Sequence, residues 1–388
     1  MRSFTLFLSI IAGVGALSLP DASGPYPVAM RVQPMTNKSR IDPYSPKGNR
    51  HKRQVLTSLF WPVDESKTCT TKQVAYMPPA TAEVYGAQAS AMGLSNDTFS
   101  SLTLGVCDIS SLKGCSSQAK TPQYPLAVFS PGGGNSRLLY GLMARSLASQ
   151  GYVVITVDHP YDATLVEFPD GTIIETADIP EEGDDLVKLT KVRADDLSFV
   201  VSQLEKASPR SSLLKGLPGK IDFDRIVVFG QSLGGSSAAV AMLSDSRFLG
   251  GANLDGRFVE PALSKGPKNP FLMLGRPDHR AEDATWVKFW KNLRGPKAEL
   301  EVSGTIHGSF TDLPVIISVL GLPDEAKSQL AALIGTIDGK RLDKILSKTL
   351  SSFFTYAFEG TPKPFLHAVK TFSELSIVNS KLPNRKSN

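Results

Sequence analysis

Residues 225–241 read Arg-Ile-Val-Val-Phe-Gly-Gln-Ser-Leu-Gly-Gly-Ser-Ser-Ala-Ala-Val-Ala, and the fold is decided there. A short apolar run ends at Gly230, Ser232 stands between glycines, and a small-residue stretch suited to a closely packed helix follows. In such a Gly-x-Ser-x-Gly turn the chain passes sharply from strand to helix, which exposes the serine Oγ at the carboxyl edge of a sheet. The bland alternative is a glycine-rich turn whose serine caps the helix.

Working outward, the pattern is regular from Pro125 onward. Leu126 to Phe129, Tyr152 to Val157, Arg225 to Phe229, Gly250 to Leu254, Pro270 to Leu274 and Leu300 to Val302 read as short buried strands. Helical stretches cover Leu138 to Gln150, Asp184 to Lys206, Ser232 to Leu243 and Ala281 to Leu293, and a small hairpin spans Leu165 to Glu175. Strands alternating with helices predict an α/β protein whose mostly parallel sheet carries helices on both faces, and the Gly-x-Ser-x-Gly turn between one such strand and helix is the pattern of the α/β-hydrolase fold. Tyr26 to Gln33 and Arg53 to Trp61 read as an opening antiparallel pair. Residues 64–122 form a decorated segment of weak periodicity, the region from about 308 to 380 reads as mainly helical, and the tail after Pro383 as disordered. A single catalytic domain over residues 19–388 is expected.

A nucleophilic serine needs a base, and the base needs an orienting acid. In α/β-hydrolases their chain order is Ser, Asp or Glu, then His. His51 and His159 precede Ser232, which leaves His279, His307 and His367. His307 lies just past a strand in Gly304-Thr305-Ile306-His307-Gly308, where a loop can bring imidazole over the serine; His279 sits where the acid is usual, and His367 reads as a packing or surface residue. Two acids fit: Asp255 after the strand that follows the elbow helix, and Asp278 after the next one, with spacing alone leaning to Asp278. The oxyanion hole needs two backbone N–H donors. Leu233 supplies one, and the loop Ser130-Pro131-Gly132-Gly133-Gly134-Asn135 supplies the other. A phosphate-cradling reading fails, since no GK[ST] and no GxGxxG is present.

The chain has 388 residues, 41% of them hydrophobic, and a formal net charge of +5. Its basic residues are too dispersed for nucleic-acid binding; only Lys47 to Arg53 clusters, and it reads as a turn entering a strand. Residues 1–18, with one positive charge and a short apolar run, read as a secretory signal peptide cleaved between about Ala16 and Ala22. The run is too short to span a bilayer. In an oxidising compartment two of Cys69, Cys107 and Cys115 are expected to bridge, and the sequence does not choose the pair. No cysteine has metal-site spacing, and Asn37-Lys38-Ser39 and Asn96-Asp97-Thr98 are glycosylation sequons.

These residues resemble the plasma-type platelet-activating-factor acetylhydrolases and their secreted microbial relatives. The likeness runs from about Pro125 to Pro314, more weakly from Arg53 to Pro62, and rests on PLAVFSPGGG, GYVVITVDHPYDAT, GQSLGG, NLDG and above all GTIHGSFTDL. It implies Ser232, Asp255 and His307 as a triad, so that Asp278 becomes the alternative acid, and Gly133 and Leu233 as oxyanion donors. It further implies a calcium-independent hydrolase, with neither cofactor nor metal, for short or oxidised acyl chains on glycerophospholipids. The chain departs from the family at Pro131 and Gln231, where histidine is common, and at Gly133, where a bulky residue is common. The departures surround the acyl pocket and leave the triad untouched.

Four further stretches have plain structural readings. Asp158-His159 reads as a strand-end pair, Glu181 to Asp185 as acids at a helix start, Leu313 to Leu320 as core rather than lid, and Ser352 to Phe358 as core. The functional expectation is a secreted serine carboxylic ester hydrolase acting on a small-molecule or lipid ester, with transient lipid-interface contact allowed and no obligate protein partner implied. A cutinase-like or secondary-metabolite esterase is the alternative enzyme, and a non-catalytic hydrolase-fold binding protein is the alternative from another class.

Overall fold

The computed structural model describes residues 16–63, 69–112, 121–207 and 213–385. Strands lie at Leu17–Ser18 (β1), Val28–Ile41 (β2), Lys52–Pro62 (β3), Thr71–Ala75 (β4), Leu102–Cys107 (β5), Gln123–Ser130 (β6) and Val153–Asp158 (β7). They continue with Leu165–Glu167 (β8), Ile173–Glu175 (β9), Lys220–Gln231 (β10), Phe248–Leu254 (β11), Phe271–Gly275 (β12), Lys297–Val302 (β13) and Leu375–Lys381 (β14). Apart from the β8–β9 hairpin, all join one sheet in the order β1-β5-β2-β3-β7-β6-β10-β11-β12-β13-β14, with β4 on β5. From β7 to β13 the pairing is parallel; β3 runs antiparallel to both β2 and β7, β14 runs antiparallel to β13, and β2 pairs with β5 in parallel.

Successive residues of a strand point to opposite faces, so a strand covered on both sides must be apolar throughout. In β6 and β10, Ala127, Phe129, Val227 and Phe229 enter the core of one face, and Leu126, Val128, Ile226 and Val228 that of the other. The first face is covered by helices at Pro79–Ala91 (α1), Gly141–Ala148 (α2), Leu313–Val319 (α8), Gly339–Glu359 (α10) and Lys363–Thr371 (α11). Gly183–Lys206 (α3), Leu233–Ser244 (α4), Ala262–Lys265 (α5) and Ala284–Asn292 (α7) cover the second, with His279–Glu282 (α6) leading into α7. Asp324–Ile334 (α9) packs beside α8.

Two expectations change. The region 308–380 is helical until it returns as β14, an edge strand antiparallel to β13. The weakly periodic segment 64–122 contains α1 and the β4–β5 pair, tied by a disulfide between Cys69 and Cys107. Cys115, residues 1–15 of the leader and residues 386–388 of the tail lie outside the described residues. Among the described residues, no helix is long and apolar enough to cross a membrane.

Because β6, β7 and β10 to β13 are parallel, their carboxyl ends open on the same edge, where ligand sites of such sheets form. Ser130, Asp158, Gln231, Leu254, Gly275 and Val302 end these strands, and each is followed by a loop carrying polar side chains.

Candidate active site

The elbow is built by close approach. A Cβ on Gly230 would stand 2.2 Å from the Gly234 carbonyl carbon, and one on Gly234 would stand 2.0 Å from Ser130 O. Only glycine fits where strand, helix and the neighbouring β6 loop meet so tightly. Between them Ser232 is held at φ 53° and ψ −124°. A non-glycine residue there stores on the order of 1–3 kcal/mol, which the surrounding bonds must over-determine. Ser232 N–H donates to Leu254 O at 2.9 Å, tying the elbow to β11. The side chain makes no cap hydrogen bond, so helix capping does not account for this serine.

Asp255 follows β11 at φ 56° and is fully buried. His307, half exposed in the loop after β13, donates from Nδ1 to Asp255 Oδ2 at 2.7 Å. With Nδ1 protonated, Nε2 carries the lone pair, and it accepts from Gln231 Nε2 at 3.2 Å. Ser232 Oγ has no hydrogen bond among the described residues. Gln231 Oε1 in turn accepts from the Tyr140 hydroxyl at 2.9 Å, and that hydroxyl accepts from Gly132 N at 3.1 Å and Asn135 Nδ2 at 2.9 Å. A continuous polar chain therefore joins His307 to the β6 loop.

Spacing alone favours Asp278, but the structure brings Asp255 to His307. After β12 the chain turns its Arg276 N–H onto Asp255 Oδ1 at 2.9 Å, and Asp278 stands exposed at the head of α6. The other oxygen contact of Asp255 is unforeseen by the sequence: His279 Nδ1 lies 2.7 Å from Oδ1, and His279 Nε2 lies 3.4 Å from Asp283. The imidazole rests on Trp286 with ring centroids 4.2 Å apart. Burial opposes charge on His279, yet the hydrogen bonds to Asp255 and Asp283 prevail and its pKa is pushed up to about 9. Burial likewise pushes the Asp255 carboxyl up, but bonds from His279 and His307 outweigh it and hold it below the usual carboxylate range.

Of the two expected donors, Leu233 opens α4, where backbone N–H groups lack intrahelical partners. Gly133 lies half-buried in the β6 loop, and its N–H has no acceptor among the described residues. Beneath that loop His159 bonds Ser130 Oγ at 2.9 Å and Asp196 Oδ2 at 2.9 Å, all three buried. That Ser–His–Asp line faces the core and not the site; burial pushes the imidazole pKa down, and Arg53 holds Asp196 well below the usual range against its own burial. Among the described residues no group of three or more His, Cys, Asp or Glu is placed to hold a metal ion.

A family model described as platelet-activating factor acetylhydrolase, isoform II, matches residues 11–208 and 201–329. The chain belongs to that family. A relative from Arthroderma benhamiae, named as a probable 1-alkyl-2-acetylglycerophosphocholine esterase, is 30% identical over 93% of this chain and 95% of its own. The platelet-activating factor acetylhydrolase of Cavia porcellus is 24% identical over 63% of this chain and 59% of its own. Among solved structures, a ferulic acid esterase from Streptomyces cinnamoneus superposes with a TM-score of 0.72 at 28% identity, covering 94% of this chain and 100% of that one. The sheet with its flanking helices is thus an α/β-hydrolase fold, and this member of the family is an esterase, which sets aside the non-catalytic reading.

Proposed function

We propose that the chain is a secreted serine esterase that removes short acyl groups from platelet-activating-factor-like glycerophospholipids or related short-acyl esters through an acyl-enzyme. One observation carries the reading: the 2.7 Å bond from His307 to buried Asp255, beside a serine held at positive φ on a glycine-walled elbow. Asp255 fixes the tautomer in which Nε2 is the free base. On substrate entry Nε2 exchanges Gln231 for the Ser232 hydroxyl, since catalytic hydrogen bonds often close only in the substrate complex. Ser232 Oγ attacks the acyl carbon while Nε2 takes its proton, and Gly133 and Leu233 N–H groups receive the oxyanion. The imidazolium protonates the departing alcohol; water, deprotonated by the same nitrogen, then releases the acid. The lipid substrate follows from the relatives' names, and secretion from the leader composition. Leu17 N donates to Ser101 O at 2.8 Å, which favours cleavage before Leu17 over cleavage after Ser18.

The full-length match to a ferulic acid esterase, together with glycine at 133, supports a second reading in which an aromatic or other non-lipid ester is preferred. Fluorophosphonate labelling followed by a panel of 2-acetyl-glycerophosphocholine, a feruloyl ester and an aryl acetate separates the two. Stoichiometric labelling that vanishes in Ser232→Ala, with a rate loss of roughly 10⁴-fold or more, is expected. Full turnover by that variant overturns the mechanism; a feruloyl preference overturns only the lipid assignment.

A further inference from the structure

We infer that Arg193 is the positioning residue that aims the Gly133 N–H into the oxyanion site, acting through the carbonyls of the two preceding peptides. Arg193 belongs to the buried stripe of α3 and is itself 1% exposed. Its guanidinium donates from one terminal nitrogen to Pro131 O at 2.7 Å and from the other to Gly132 O at 3.1 Å. Its Nε pairs with Asp162, whose second oxygen accepts from Gly134 N at 3.2 Å. One ion pair therefore grips the loop on both sides of Gly133.

The consequence follows from peptide planarity. In a trans peptide the carbonyl of one residue and the N–H of the next point in opposite directions, and the peptides here are trans. Fixing Pro131 O toward Arg193 turns the Gly132 N–H the other way, and it is found on the Tyr140 hydroxyl at 3.1 Å. Fixing Gly132 O toward Arg193 likewise turns the Gly133 N–H away from the core, where it meets no protein acceptor among the described residues. Three consecutive glycines offer little resistance to a flipped peptide, so the direction of this donor depends on what holds the carbonyl. A buried guanidinium is suited to that task because its planar fork binds two acceptors at fixed angles and stays charged. Asp162 keeps that charge paired: burial pushes its carboxyl up, but Arg193 prevails and holds it below the usual range.

The inference rests on reading Gly133 as an oxyanion donor, and the test separates the two claims. Wild-type enzyme, Arg193→Lys and Asp162→Asn are titrated with a fluorophosphonate to count active Ser232. Each is then assayed on an aryl acetate and on its thionoester, in which C=S replaces C=O and hydrogen bonds to the developing anion are weakened. The wild type should prefer the oxygen ester strongly. Per active site, Arg193→Lys should lose roughly 10- to 100-fold in kcat with KM changed less than about threefold, and the oxygen-over-sulfur preference should fall by a similar factor, given that deleting a whole donor costs about 10²–10³. A purely structural role lowers both substrates in parallel, so an unchanged preference in the folded variant overturns the inference. If Arg193→Lys does not fold, Asp162→Asn, of equal shape, is read by the same ratio. A wild-type preference near one overturns the Gly133 reading itself.

Discussion

Asp255 holds the charges of the site together. A fully buried carboxylate accepts from two imidazoles and one backbone N–H, and it is the pairing that keeps it ionised. Replacing it with Asn leaves the shape but reverses one hydrogen bond, so His307 takes the wrong tautomer. Asp255→Asn should lower kcat by roughly 10⁴-fold, whereas Asp278→Asn should stay within about twofold; equal losses in both would reject the pairing seen here. His279 gives a second, pH-resolved check. Its folded pKa of about 9 lies above the unfolded value near 6.5. Its contribution to stability is therefore complete below about pH 6.5 and lost as pH rises through about 9. The melting temperature of the wild type should exceed that of His279→Gln at pH 6, and the difference should close by pH 10. Sequence order pointed to His307 and left Asp255 and Asp278 both open, with only the family resemblance preferring Asp255, and no periodicity reports that one carboxylate serves two histidines 28 positions apart.

At the scale of elements, what was legible was whatever the sheet buries on both faces. β6, β7, β10, β11 and β12 each carry a buried, mostly apolar run, and α4 is announced by the glycines that admit it. The elements that escaped have the opposite character. In α1 the buried positions are Thr81, Ala82, Tyr85, Gly86 and Ala89, spaced as a helix face but, Tyr85 apart, too small to read as an apolar stripe. β14 lies on the edge, mostly exposed, so its residues carry no burial signal. Arg193 and Asp196 were passed over in the sequence, although the structure sets both charges on the apolar stripe of α3 with Leu186, Leu189 and Leu197. A charge placed there must be paired, and each is. The tightness of the elbow makes a separate prediction. Gly234→Ala forces a Cβ to 2.0 Å from Ser130 O and 2.4 Å from Pro131 O, both backbone atoms. It should cost on the order of 3 kcal/mol in denaturant unfolding, with hydrolysis falling further than stability because the loop after β6, proposed to bind the oxyanion, is displaced; an unchanged unfolding midpoint would show that β6 and α4 are not in contact.

At the scale of the whole molecule, the long-range order β5-β2-β3-β7-β6-β10 separates the disulfide-bearing edge from the elbow by four strands. Cysteine spacing could not pair Cys69 with Cys107, because their proximity comes from the antiparallel register that sets Thr71 opposite Cys107. The bridge closes a loop with a sequence separation of 38, which in the chain-entropy account stabilises by about 4 kcal/mol. Its position on the sheet's edge means that this stabilisation should not reach the catalytic edge. The double variant Cys69→Ser/Cys107→Ser should therefore unfold at markedly lower denaturant, while its kcat per fluorophosphonate-titrated site stays within about twofold of wild type. If instead kcat fell with the unfolding midpoint unmoved, the bridge would be acting on the site through the sheet, and the edge strands would have to be treated as part of the machinery that sets Ser130 and the loop after it.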